Sequence, residues 1–215
     1  MNKDLKAIVL DYDGVVVESV GIKDRAFEIL FRDEPKHLPE ILEYHHTHNA
    51  VIRYEKFRHI YEGILKKPFP PSVRADLSRR FSEIVVKEII ASPGVKGAKE
   101  FLESYFGRVP LYLASINPED ELKHIMRNRG EEKYFKKVYA YPWLKKDALR
   151  KILKAENAKS EEAVFIGDSP EDYEAARETG VTFIGRQSNK FFNGASIPVF
   201  KDFFEISRHL EPFLK

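Results

Sequence analysis

The feature that most constrains this chain is a repeated unit. A short apolar run ends abruptly in a carboxylate, a hydroxyl or an amine, and a helical pattern follows. Ala7-Ile8-Val9-Leu10 leads into Asp11-Tyr12-Asp13-Gly14, and Leu111-Tyr112-Leu113-Ala114 into Ser115-Ile116-Asn117. Val138-Tyr139-Ala140 leads through a short loop to Lys145. Ala163-Val164-Phe165-Ile166 leads into Gly167-Asp168-Ser169, with Asp172 just beyond. Runs this short and apolar read as buried strands. Asn117-Pro118-Glu119-Asp120 and Ser169-Pro170-Glu171-Asp172 read as helix starts: a capping side chain, Pro at the first helical position, then acids in the first turn. Strands alternating with helices predict an α/β fold, a parallel Rossmann-like sheet flanked by helices. Ligands of such sheets bind outside the carboxyl ends of the strands. Asp11, Asp13, Ser115, Lys145, Asp168 and Asp172 are therefore expected to meet at one edge.

That set of groups suits phosphoryl transfer. Two carboxylates one residue apart raise each other's proton affinity, and a divalent cation relieves the strain. A phosphate needs donors: a serine hydroxyl, backbone N–H groups at a helix start, and a lysine ammonium. Attack on phosphorus by a carboxylate brings two anions together, which Mg²⁺ held by carboxylates makes feasible. The leaving alkoxide needs a proton, and a second carboxyl can supply it.

In these motifs the chain resembles the haloacid dehalogenase superfamily. Asp11-Tyr12-Asp13-Gly14-Val15, Ser115, Lys145 and Gly167-Asp168-Ser169-Pro170-Glu171-Asp172 appear in the family's order. The resemblance, which points to the phosphoglycolate phosphatase and β-phosphoglucomutase group, implies a role for each. Asp11 would be the nucleophile that forms an aspartyl-phosphate. Asp13 would protonate the leaving group and later activate water. Ser115, the N–H of Ile116 and Lys145 would hold the transferring phosphate. Asp11, the backbone carbonyl of Asp13, and Asp168 would bind Mg²⁺, with Asp172 supporting it directly or through water. An acid at position 13 favours phosphate esters over carbon–halogen bonds, because relatives that cleave the latter lack it. The chain departs from many relatives in having Lys146 rather than Pro after Lys145, and Ser-Ile-Asn where many phosphatases have Thr-Asn. Lys145 is preferred to Lys146 because it sits just before the helical pattern of 147–153, where Lys146 reads as a solvated helix-start residue. Asn117 is expected to cap the next helix rather than touch substrate, although it could do both.

Between residues 18 and 91 the alternation stops. Asp24–Phe31 and Val73–Ile90 have helical periodicity, and Pro35, Pro39, Pro68, Pro70 and Pro71 punctuate the stretch between. Four or five helices are expected there. The organisation is then a core of residues 1–17 and 92–215 with an all-helical insertion, 18–91. The resemblance implies that an insertion at this point is a mobile cap that excludes water and contacts substrate. Within it, Arg53, Lys56 or Arg58 could reach a second anionic group, and so set substrate specificity together with Asn117. The alternative is that Phe57, Ile60 and Tyr61 form core while the cations face solvent. His45-His46-Thr47-His48 reads as surface histidines more readily than as a metal site. Arg186, after the strand-like Val181–Ile184, could border the site but reads more readily as a loop cation, and Trp143 as packing. Residues 200–214 read as an amphipathic closing helix.

Composition narrows the function classes. Hydrophobic residues make up 43% of the 215, enough for a real core, and no apolar run approaches a membrane span. The start, Met1-Asn2-Lys3-Asp4, has no apolar signal segment, and there is no cysteine, which fits a cytoplasmic protein. A formal charge of +2 gives no argument for a nucleic-acid partner. The expected partner is a small phosphorylated metabolite, with neither nucleic acid nor membrane; nothing in the sequence sets an oligomeric state. The expected activity is Mg²⁺-dependent phosphate-ester hydrolysis. A phosphomutase would use the same motifs but tends to carry a cap loop with Arg and Ser that is absent here. A binding protein on an inactive fold would be expected to have lost a site residue, and none is lost.

Overall fold

The computed structural model describes residues 5–48, 51–188, 192 and 196–214. In chain order it contains β1 (Ala7–Leu10), α1 (Val20–Phe31), α2 (Leu38–Thr47), α3 (Arg53–Arg58), α4 (Pro71–Ala91), α5 (Ala98–Tyr105), β2 (Leu111–Pro118), α6 (Glu119–Asn128), β3 (Lys137–Tyr141), α7 (Lys145–Ala155), β4 (Ala163–Gly167), α8 (Pro170–Thr179), β5 (Thr182–Arg186), β6 (Val199–Phe200) and α9 (Phe203–Leu210). The chain divides into two compact units, Met1–Glu18 with Ser92–Lys215, and Ser19–Ala91.

The first unit is an α/β fold around one six-stranded sheet in the order β3-β2-β1-β4-β5-β6, with every neighbouring pair parallel. Parallel strands are buried on both faces and so read as continuous apolar runs. All four residues of β1 are fully buried, which is why Ala7–Leu10 carries no polar alternation. The chain winds outward from β1 through β2 to β3, then returns to the other side of β1 with β4. A crevice opens at the carboxyl end where the order reverses. Leu10 lies level with Ile166, so Asp11 and Gly167 leave the sheet side by side. The apolar faces of α7 and α8 (Ala148, Leu149, Ile152, Ala175, Ala176) cover Val9, Tyr112, Ala114, Phe165 and Phe183 in one cluster.

The second unit is helical: α1 to α4 with a π-helical segment, His59–Ile64, after α3. Helix α4 buries Leu77, Phe81, Val85 and Ile89, a four-residue spacing that makes one stripe. Phe81 meets Phe27 of α1 edge-on at 5.4 Å and Phe57 of α3 at 5.8 Å. Phe57 and Ile60 are core, as the second of the two readings of this segment has it, but the cations do not all face solvent. Lys56 is buried, and its Nζ lies 3.0 Å from His45 Nδ1 and 3.2 Å from the His45 carbonyl oxygen. His45 Nε2 lies 2.9 Å from Asp24 Oδ1, and its ring stacks on Phe27. Burial holds the His45 pKa below its ordinary value, while the hydrogen bond to His45 holds that of Asp24 down. His45 is thus a packed polar contact while His46 and His48 are exposed, as surface histidines, and among the described residues no histidine belongs to a metal-sized cluster.

Two expectations need correction. Asn117 does not cap α6: β2 continues to Pro118, the helix starts at Glu119, and no side chain caps it. Pro118 is accordingly the flanking residue rather than the first helical one. The corresponding expectation at α8 holds, with Ser169 accepting from the Asp172 N–H and Pro170 in the first turn. No helix of the described residues is long and apolar enough to cross a membrane.

Candidate active site

Each candidate residue is placed by a local device. The backbone turns sharply after Asp11. The Tyr12 carbonyl accepts from the N–H groups of Val15, Val16 and Val17, and the Gly14 N–H donates to Val17. Gly14 has φ 73°, the left-handed region where a side chain would be strained. Tyr12 is fully buried, and its hydroxyl donates to Glu131 Oε2 at 2.7 Å. Glu131 is held in turn by Arg129, which also donates to the Ser92 carbonyl at 2.6 Å. Burial and the Glu131 carboxylate raise the Tyr12 pKa, so this phenol stays a donor.

Asp172 is the hub beneath the site. It is wholly buried at the third position of α8. Its Oδ2 accepts from Ser169 Oγ at 2.7 Å and from the N–H groups of Ser169 and Asp168 at 3.2 and 3.3 Å. Its Oδ1 accepts from Lys145 Nζ at 2.5 Å. The approach is so close that a Cβ on Gly167 would lie 2.4 Å from the Asp172 Cβ. Gly167→Ala is therefore expected to displace Asp172 and cost about 1–3 kcal/mol, as overpacking does. Chemical denaturation would show the loss, and an unchanged midpoint would mean that α8 shifts freely.

Lys145 and the acids define the electrostatics. The Lys145 Nζ lies 3.1 Å from Asp11 Oδ2 as well as 2.5 Å from Asp172. Burial acts to lower its pKa, but the two carboxylates prevail and raise it. Lys146 instead pairs with Glu178 at 3.0 Å on the surface. Asp11, Asp168 and Asp172 each present an oxygen within 4.8 Å of the others. Burial pushes the Asp11 carboxyl up to about 8; Lys145 opposes this, and Asp172, Asp168 and Asp13 add to it. Burial and the Asp172 charge push Asp168 up to about 6, while Ser188 Oγ, donating to Asp168 Oδ2 at 2.6 Å, works against them. Buried oxygens carrying more negative charge than one ammonium balances form a hard, all-oxygen donor set, and such a set fits Mg²⁺. Asp11 and Asp168 would hold the ion, with Asp172 behind them.

Ser115 is buried, and its Oγ accepts from the Asn117 N–H at 3.2 Å. The Asn117 side chain reaches Asp13, its Nδ2 donating to Oδ2 at 2.8 Å. Ile116 between them is 37% exposed. In the helical unit, Arg53 donates to Ser82 Oγ at 3.0 Å and lies over the Phe81 ring at 5.0 Å, and Arg58 pairs with Glu55 at 2.8 Å. Trp143 packs edge-on against Tyr139 and is 40% exposed.

The reading of Arg186 as a loop cation is wrong. Arg186 closes β5 and is buried. Its Nη1 donates to the Gly14 carbonyl at 2.9 Å and to Glu18 Oε2 at 3.0 Å, and its Nη2 pairs with Glu18 Oε1. It ties β5 to the turn that carries Asp13. Ser188, two residues on, was not singled out at all. Arg186 ends, and Ser188 follows, a strand next to β4, and that topology is the signal that could have found them.

Residues 5–180 match the family model for a haloacid dehalogenase-like hydrolase. No curated protein matches the chain. Among solved structures, a phosphoglycolate phosphatase by prediction, from Haemophilus somnus, is similar at 17% identity and TM-score 0.73, over 95% of this chain and 97% of that one. CbbY from Rhodobacter sphaeroides, crystallised as a single-residue variant with xylulose-1,5-bisphosphate, is similar at 19% identity and TM-score 0.72, over 94% and 96%. A Geobacter sulfurreducens hydrolase of the same superfamily, subfamily IA, is similar at 21% identity and TM-score 0.66, over 98% and 100%. At such identities these likenesses speak for the fold alone. The family match spans both strand-end acids and the lysine between them, and on that match the chain belongs to the haloacid dehalogenase-like hydrolases.

Proposed function

We propose that this hydrolase is a Mg²⁺-dependent phosphatase acting on a small phosphorylated metabolite through an aspartyl-phosphate on Asp11. The observation that carries the reading is the Lys145 ammonium held 3.1 Å from Asp11 within the buried carboxylate cluster. A nucleophilic carboxylate beside a fixed cation can approach an anionic phosphate, and structural burial alone does not call for three acids around one lysine.

In this mechanism Asp11 attacks phosphorus, and Lys145 offsets the charge of the entering phosphoryl oxygens. The Ser115 hydroxyl and the Ile116 N–H hold those oxygens. Asp13 gives a proton to the departing alkoxide, then takes one from the water that opens the acyl-phosphate. A bound divalent ion supplies charge cancellation between nucleophile and phosphate, and it favours the ionised form of Asp11. Substrate specificity is assigned to the helical unit, with Arg53 the cation of interest, since Lys56 is buried against His45. The lack of cysteine is in keeping with a cytoplasmic enzyme.

The test is phosphate release from p-nitrophenyl phosphate and a panel of phosphorylated metabolites, with Mg²⁺ and with chelator. Release that needs Mg²⁺ is the expected result. Turnover unaffected by exhaustive chelation would overturn the metal-assisted reading. Conversion of a sugar phosphate to its isomer without phosphate release would make the protein a mutase.

A further inference from the structure

Strand β2 is irregular beyond its apolar stretch: Ala114 pairs with Tyr139 and Pro118 with Tyr141, so the register against β3 shifts between them. Within that irregular stretch Ser115 and Asn117 are buried and Ile116 is exposed. The Asn117 side chain is not spent on α6, which has no side-chain cap. It lies instead against the group that the proposed mechanism uses as its acid and base. An ionised carboxylate only accepts, so the amide nitrogen faces Asp13 Oδ2, at 2.8 Å.

We propose that Asn117 is a positioning residue for Asp13, fixing the orientation of its carboxyl for proton exchange through the hydrogen bond to Oδ2. This rests on the phosphatase reading of Asp13. Two contacts separate the role from a grip on phosphate. The Ser115 hydroxyl is oriented by the backbone N–H of Asn117, and a side-chain substitution leaves that bond in place. The side chain, by contrast, meets Asp13. Changing it should disturb proton transfer while leaving the phosphate oxygens held.

The measurement is kcat/KM for two esters matched in size, phenethyl phosphate and p-nitrophenyl phosphate. The first departs as a poor alkoxide that needs its proton; the second leaves as a stable phenolate that does not. The enzymes compared are wild type, Asn117→Ala, Asp13→Asn and the double variant, all with Mg²⁺. In Asn117→Ala the alkyl-to-aryl ratio of kcat/KM is expected to fall by about tenfold, part of the 10²–10⁴ that general acid catalysis contributes. Both KM values should change less than about threefold, because uniform binding is untouched. In the Asp13→Asn background the same substitution should change the ratio no further, since Asn117 acts through Asp13. Asn117→Asp, similar in size but without the donor, should lower the ratio at least as far, and it serves if the alanine variant folds poorly. An equal loss on both esters, or a further loss without Asp13, would overturn the proposal and make Asn117 a phosphate contact or a structural residue. A wild type that releases phosphate from neither ester nor any metabolite of the panel would overturn the phosphatase reading, and this inference with it. A wild type active on both, with an unchanged ratio in Asn117→Ala and Asn117→Asp, would remove this inference alone.

Discussion

Asp11→Asn is expected to release no measurable phosphate from any ester, a loss of at least about 10⁴-fold, and yet to be more stable than the wild type when divalent cations are removed. The first half follows from chemistry: an amide oxygen is a poor nucleophile toward phosphorus and cannot form the acyl-phosphate. The second follows from burial. Desolvation and the neighbouring acids push the Asp11 carboxyl from its ordinary value of 3.8 to about 8 in the folded protein. Folding therefore favours the protonated form. The stability this group contributes is fully present below about pH 4 and is lost as pH rises toward about 8. Asparagine never ionises. In chelator, the melting temperatures of variant and wild type should lie closest below about pH 4, and the variant should lead by a widening margin up to about pH 8. Added Mg²⁺ should close that margin, because only the carboxylate gains from the ion. A site that stabilises itself by losing its function is one arranged for chemistry rather than for folding. Full activity in a preparation free of contaminating phosphatase would refute the nucleophile assignment. A margin independent of pH would refute the electrostatic one.

The strand ends were legible because each is a local event. Ala7–Leu10 is apolar without interruption, and the sheet's central position for β1 demands that. Ser169-Pro170-Glu171-Asp172 carries its capping box within four residues. Lys145 could be chosen over Lys146 because a helix start fixes which of two neighbours faces the strand ends. What misled was also local. Asn-Pro before two acids has every mark of a helix cap, but β2 runs on to Pro118 and gives Asn117 to Asp13, 104 residues away. Arg186 bonds Glu18 and Gly14 across 168 and 172 positions. No window along the chain contains both partners, so the cation looked free. The Lys56 and His45 segments were read apart, one as an anion grip or a solvated face and the other as surface histidines. Packing of α1, α2 and α3 brings them together. Short elements such as β6, two residues long, leave too little pattern to detect.

Lys145→Met is expected to abolish activity and to destabilise the protein in a cation-dependent way. The ammonium lies between Asp11 and Asp172, at 3.1 and 2.5 Å, in surroundings nearly closed to water. Methionine fills much the same space, so the cavity term is small. What is lost is the partner of two buried carboxylates, and removal of one member of a buried pair costs about 3–5 kcal/mol. The acids can soften that loss only by taking up protons, which Asp11 and Asp168 already do more readily than an exposed carboxyl. The cost should therefore be greatest in chelator near about pH 8, where protonation helps least, and smaller near about pH 5. Mg²⁺ can supply part of the missing charge, so saturating the site should recover part of the midpoint lost in chemical denaturation. Activity should not return with it, because the ion does not replace the donor that holds the phosphoryl oxygens. A loss of stability equal in chelator and in Mg²⁺, and equal at both pH values, would mean that Lys145 supports the fold through packing alone, and the balance of charge proposed for this site would have to be given up.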